Sequence, residues 1–143
     1  MKVITAILLL CLSGSYVQPC HCKKAKKSET TCWGWIKGHL EVDGGTVKEI
    51  RGRVVDAAES PYADALIEVY GHPELDLDER KRVAACWTGA NGEFCFEGLK
   101  PGRYELRGSC VSGFDAGHTI VTLTPKERNA SKGEILVTLN VSQ

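Results

Sequence analysis

A chain of 143 residues, 43% of them hydrophobic and 25% charged, can bury one packed core but not two comfortable ones. Its 18 Lys and Arg balance 18 Asp and Glu, so no charge excess points to nucleic acid or an anionic surface as partner.

The chain opens with Met1-Lys2 and an apolar run from Val3 to Leu12, followed by the small residues Ser13-Gly14-Ser15. This is the pattern of a signal peptide over residues 1–15, cleaved near Ser15. The run falls well short of the roughly 18 apolar residues a spanning helix needs, so no stable membrane span is expected after signal removal. Leu10 before Cys11 and Pro19 before Cys20 are not the small residues of a lipoprotein site. The expected location is secreted, periplasmic or cell-surface. Of the 18 basic and seven Cys residues, Lys2 and Cys11 leave with the signal, so 17 Lys and Arg face 18 Asp and Glu and six cysteines remain. These are Cys20, Cys22, Cys32, Cys86, Cys95 and Cys110. An even count in a small exported domain reads as up to three disulfides, which can be connected in about fifteen ways.

Residues 16–46 read as a cysteine-containing N-terminal arm. Cys20-His21-Cys22 offers soft metal ligands, but a closed zinc site needs four ligands and no second pair stands at a suitable spacing. The expectation is a disulfide anchor, with no metal and no cofactor. Cys32-Trp33-Gly34-Trp35-Ile36 is the first apolar cluster, and Leu40 and Val42 continue it as a short extra strand before an Asp43-Gly44-Gly45 turn.

The domain proper spans 47–143. Ile50, Gly52 and Val54 alternate with Arg51, Arg53 and Val55 in a first strand, and Ala65, Ile67 and Val69 alternate with Leu66, Glu68 and Tyr70 in a second. The polar stretch from His72 to Arg82 is a loop or a single helical turn. Val83–Thr88 and Glu93–Glu97 are expected to form one hairpin across Gly89-Ala90-Asn91-Gly92, a four-residue loop with positive φ at Gly92. A corner at Gly98-Leu99-Lys100-Pro101-Gly102 leads into a strand where Tyr104 and Leu106 alternate with Arg103, Glu105 and Arg107. Thr119–Thr124 and a last strand carrying Ile135, Val137, Leu139 and Val141 complete the set. Short strands at this spacing predict an all-β, antiparallel sandwich of about seven strands and no helix of normal length.

If Thr88 pairs with Glu93, Trp87 faces Phe94 on the core side and Cys86 faces Cys95 on the other. Directly opposed residues lie within small adjustment of disulfide geometry, so a Cys86–Cys95 bond is expected. Cys110 shares the inward parity of Tyr104 and Leu106, leaving it to Cys20, Cys22 or Cys32; Cys32 is favoured because it adjoins the Trp cluster.

Gly92-Glu93-Phe94-Cys95-Phe96-Glu97-Gly98-Leu99-Lys100-Pro101-Gly102-Arg103-Tyr104 resembles the Gly-x-Phe-x-Phe…Leu-x-Pro-Gly-x-Tyr corner of carboxypeptidase regulatory-like domains. Gly52-Arg53-Val54-Val55-Asp56…Pro61…Ala65-Leu66-Ile67-Glu68-Val69 resembles the opening two strands of the same family. The resemblance covers roughly Glu49 to Val141. It implies a transthyretin-like (prealbumin-like) Greek-key β-sandwich of the carbohydrate-binding-like group.

The resemblance implies a non-catalytic module, because the zinc of true carboxypeptidases sits in a separate domain. His39, His72 and His118 lie on separate segments with no nucleophile or metal motif beside them. The urate-pathway hydrolase of this fold carries a C-terminal Tyr-Arg-Gly-Ser signature, where this chain reads Leu139-Asn140-Val141-Ser142-Gln143. Related adhesin repeats form a Lys–Asn isopeptide bond, for which Lys48 and Asn140 are placed, but Gly108 falls where their catalytic Glu belongs. Asn129-Ala130-Ser131 and Asn140-Val141-Ser142 match the glycosylation pattern. The function read from these residues is binding or scaffolding outside the cell, with a protein or a glycan as partner. The alternative is a small carbohydrate-binding domain using Trp33, Trp35 and Tyr62, since aromatic faces pack on pyranose rings.

Overall fold

The computed structural model describes residues 21–30, 41–110 and 115–141. Ten strands and no helix occur among them: β1 (Lys23–Lys24), β2 (Glu41–Val47), β3 (Ile50–Val55), β4 (Leu66–Gly71), β5 (Lys81–Trp87), β6 (Glu93–Phe96), β7 (Gly102–Ser109), β8 (Asp115–Leu123), β9 (Ile135–Thr138) and β10 (Asn140–Val141). They form two sheets. The large one runs β1-β5-β4-β7-β8-β10, with β2 also on β8, and the small one runs β6-β3-β9. β10 and β2 share one edge of β8, β10 at Asp115–Ala116 and β2 from His118 to Leu123.

The alternation read from the sequence sets which side chains face inward. Ile50, Val54, Ile67, Val69, Phe94, Leu106, Val121, Leu123, Ile135 and Val137 meet between the sheets in one buried cluster. Phe94 and Phe96 lie with ring centroids 6.1 Å apart in a tilted pair. Tyr104 closes the expected corner, its hydroxyl donating to the Lys100 carbonyl at 2.6 Å. The all-β sandwich is therefore as expected, but it is not purely antiparallel: β2 runs parallel to β8 and β3 parallel to β9. Gly52 permits the second pairing, because a Cβ there would stand 1.8 Å from the Ile135 carbonyl oxygen.

Three details differ from the sequence reading. Asp43-Gly44-Gly45 does not end a strand; it is an irregularity inside β2, with Gly45 at φ 73° and its N–H on Asp43 Oδ1 at 2.8 Å. The last expected strand divides at Leu139, whose N–H goes to the Val55 carbonyl at 2.8 Å. One half pairs in each sheet. Most consequentially, β5 and β6 are not a hairpin: β5 pairs with β4 and β1, and β6 pairs with β3. The turn chemistry is as read, with Gly92 at φ 70° and a Gly92 N–H to Gly89 carbonyl bond of 3.0 Å. However, the Gly92 carbonyl accepts from Val54 N–H on β3 at 2.8 Å, so the corner carries the chain from one sheet to the other. Alternation tells which face of a strand is apolar, and an arch between sheets satisfies it as well as a hairpin does.

Gly92→Ala is expected to cost more than Gly98→Ala, although both positions have positive φ (70° and 75°). At Gly98 nothing lies within 4 Å of an added Cβ, so only backbone strain of about 1 kcal/mol applies. At Gly92 the same atom would stand 2.5 Å from the Val54 carbonyl oxygen, forcing the corner to move. Urea denaturation of the two variants measures the difference, and equal losses would contradict it.

Candidate functional site

The outward face of the large sheet carries a cluster of buried charged side chains among the described residues. In β4, with Ile67 and Val69 in the core, Glu68 and Tyr70 must point the other way; in β7, Leu106 sends Glu105 and Arg107 outward likewise. Register sets Glu68 beside Arg107, Tyr70 beside Glu105, and Arg107 beside His118 of β8. All are buried, with Glu68 and Glu105 at 0% exposure and Arg107 at 1%.

Ionised groups so deep require partners, and they have them. Glu105 accepts from Arg107 through one carboxylate oxygen and from Arg80 through the other. Arg82 reaches Glu68 Oε1 at 3.0 Å, and the Tyr70 hydroxyl donates to the same oxygen at 3.3 Å. The Arg107 guanidinium lies 3.6 Å above the Tyr70 ring centroid, a stacked cation–π contact. Burial first, and Glu68 next, push the Tyr70 phenol well above its ordinary range, so it remains a donor. The segment between β4 and β5 closes this face from one side: Arg80 donates to the Leu75 carbonyl at 2.9 Å and Arg107 to the Leu77 carbonyl at 3.3 Å. The arm closes it from the other, with Arg82 donating to the carbonyls of Lys26 (2.7 Å) and Glu29.

Glu41, Glu105 and His118 bring one donor atom each within 4.8 Å of one another, the reach of a metal ion. Charge opposes that use. Arg80 stands against Glu105 and 4.0 Å from Glu41, and Arg107 holds the other Glu105 oxygen. A divalent cation would enter beside two guanidinium groups already bound to its best ligand.

Trp33, Trp35 and Cys32 lie outside the described residues. Tyr62 does not stand free in its loop. Its ring packs against the core, its N–H goes to the Val54 carbonyl at 2.9 Å, and its hydroxyl donates to Asp115 Oδ2 at 2.8 Å. That bond, then burial, pushes the phenol up to about 12. Trp87 has the expected parity but the opposite side. It faces outward and half-buried, its indole N–H donating to Glu29 Oε2 at 3.0 Å, while Cys86 takes the core side opposite Ile67. The Lys26 N–H, and next the Trp87 indole, hold the Glu29 carboxyl below its ordinary range.

The expected Cys86–Cys95 bond is therefore not formed. Cys86 is a free thiol facing inward from the large sheet, whereas Cys95 alternates with Phe94 onto the outer face of the small one. Cys95 is disulfide-bonded, with its partner outside the described residues. Cys110 points inward as expected, but it carries a thiol, 3.7 Å from Asp115 Oδ2, rather than a bond to Cys32.

The open side of the sandwich, between β5 and β6, holds a cleft of about 610 Å³. Half-buried Ala84, Phe96 and Leu99 line it, with exposed Lys24, Lys27 and Glu97 around them.

Sequence reasoning missed the charge network, although a signal was present. Glu68, Glu105 and Arg107 sit in the middle of strands whose neighbours are apolar, where a solvated face would need no such complementary set.

Two outcomes follow from this geometry. Arg107→Met should cost about 3–5 kcal/mol, because it leaves Glu105 buried with half its compensation. Arg53→Met, which breaks a pair with Glu134 exposed at 41% and 52%, should cost under about 1 kcal/mol. Urea denaturation separates them. In the alkaline range the Tyr62 phenol, raised in the folded state, contributes stability that is full below its ordinary pKa of about 10 and lost as pH rises towards 12. Wild type should therefore lose more stability between about pH 9 and 11 than Tyr62→Phe; equal losses would rule the contribution out.

A model of the carboxypeptidase regulatory-like domain matches residues 49–132, from just before β3 into the loop after β8. No curated protein matches the chain. The matched stretch holds the Leu-x-Pro-Gly-x-Tyr corner, β3 to β8 and the buried charges of β4 and β7, and the chain belongs to the carboxypeptidase regulatory-like domain family.

Proposed function

We propose that this chain is a non-catalytic β-sandwich module that binds or scaffolds outside the cell, in a secreted, periplasmic or cell-surface location. The signal-like residues 1–15 and the six further cysteines support export. In this reading residues 16–46 form the arm and 47–143 the domain, with the arm built into the fold through β1 and β2.

The observation that carries the non-catalytic reading is the state of the buried ionisable groups. A general base or nucleophile must be poised to exchange a proton with a substrate. Here the carboxylates of Glu68 and Glu105 are bound by guanidinium groups and closed over by the arm and the segment before β5. Such a network holds a sheet rather than turning over a substrate. The partner, protein or glycan, then meets the outer surface, and the cleft between β5 and β6 is the concave part of it.

Immobilised protein incubated with the extracellular fraction, alongside a glycan array, tests this directly. Retention of a partner by wild type, and loss of at least tenfold in affinity with Leu99→Glu in the cleft, are expected. Turnover of an ester, peptide or ureide substrate by the purified protein would overturn the reading.

A further inference from the structure

Two cysteine side chains and the backbone of a third border the cleft. Cys22 comes from the arm, Cys86 from β5 in the large sheet, and Cys95 from β6 in the small one; all three line the same cavity. The Cys22 thiol donates to the Cys95 carbonyl at 3.5 Å. Cys22 and the Cys95 backbone are the polar neighbours that act on the Cys86 thiol. β1 places these groups. Lys23 pairs with Trp87 and Lys24 with Cys86, and Ala25 N–H extends the ladder to the Ala85 carbonyl at 3.0 Å. By alternation Cys22 and Lys24 share the face of Cys86, while His21 and Lys23 take the other. Accordingly His21 and Lys23 line a different hollow with Trp87, so His21 and Cys22 face apart.

We propose that Cys22 and Cys86 are a paired dithiol that closes to a disulfide and staples the arm to the edge of the large sheet. The chemistry is thiol–disulfide exchange with an external disulfide, of a thiol oxidase or of oxidised glutathione. The Cys22 thiolate attacks one sulfur of that disulfide, forming a mixed disulfide and expelling one thiolate. Cys86 then loses its proton and attacks the Cys22 sulfur, forming the protein bond and expelling the second thiolate. Two protein thiols are oxidised and one disulfide is reduced to two thiols, so electrons and protons balance.

The order of events follows from access. Cys22 is half-buried at the cleft, whereas Cys86 is 3% exposed. Burial, and then Cys22 itself, push the Cys86 thiol above its ordinary range, so Cys22 and not Cys86 makes the first, intermolecular attack. Across an antiparallel pair Cys22 and Cys86 are diagonal neighbours, about 7–8 Å apart rather than the roughly 5 Å of directly opposed residues. Closing the bond therefore requires the backbone to move. β1 is only two residues long and lies at the sheet edge, so the required adjustment falls on a lightly held segment. Closure would link residues distant in sequence and so constrain the unfolded chain strongly.

The test uses protein expressed from the full-length sequence, equilibrated in glutathione buffers of rising oxidised fraction and trapped with an alkylating agent. Digestion after Glu93 separates Cys86 from Cys95, and mass mapping without reduction then identifies the partner of Cys86. The expected result is a peptide joining the Cys22 segment to the Cys86 segment, with Cys110 still alkylated. In Cys22→Ser that peptide should vanish and Cys86 should be alkylated. Oxidised wild type should melt roughly 5–15 °C above oxidised Cys22→Ser. A Cys86 crosslink persisting in Cys22→Ser would overturn the proposal. So would alkylation of both Cys22 and Cys86 at every glutathione ratio, or protection of both by Zn²⁺ alone with no disulfide formed.

Discussion

The rest of the structure depends on neutralising charge on the outer face of the large sheet. A sandwich sheet commonly leaves that face to water, where carboxylates and guanidinium groups need no particular partner. Here Glu68, Glu105, Arg107 and Tyr70 are covered, and each unpaired charge would cost several kcal/mol. Their geometry therefore constrains what lies above them. The segment from His72 to Arg80 must offer the Leu75 and Leu77 carbonyls, and the arm must offer those of Lys26 and Glu29. The polar stretch before β5 is a lid built from backbone acceptors.

The same demand explains why the arm belongs to the fold. Arg82 is shared between Glu68 below and two arm carbonyls above, so the arm completes the coordination of a buried cation. β1 continues the large sheet beyond β5 and shields part of an edge that would otherwise present unpaired backbone groups. The Trp87–Glu29 bond adds a side-chain tie on the outer side of that edge, opposite the cysteine contact on its inner side. Together these contacts couple a polar segment with little apolar periodicity to the core.

Much of the architecture is legible in the residues. The alternation of Ile50, Gly52 and Val54, of Ile67 and Val69, and of Phe94 and Phe96 places these side chains on the core side, and they are there. Gly92 has the positive φ that Asn91-Gly92 calls for, and Tyr104 closes the Pro101-Gly102 corner. The candidate site was far less legible. Tyr62 looked like a loop aromatic because Asp115, its hydrogen-bond partner, is 53 residues away. Trp87 and Cys86 exchanged sides because parity orders alternate residues without saying which set faces inward.

What the sequence by itself determined is most of the strands from Ile50 to Leu123, the two faces of most of them, the turn at Gly92 and the family. These follow from local physics: side-chain alternation, the backbone freedom of Gly and the fixed φ of Pro. What only the tertiary structure decided is which strands pair, and hence which cysteines and charges meet. β5 and β6 carry patterns that fit a hairpin, yet the Gly92 carbonyl bonds to Val54 and sends β6 to the small sheet. That one change puts Cys86 and Cys95 on different faces and brings Cys22 to Cys86. Pairing is settled by contacts among residues far apart in the chain, and a period-two pattern is the same whichever neighbour a strand finds.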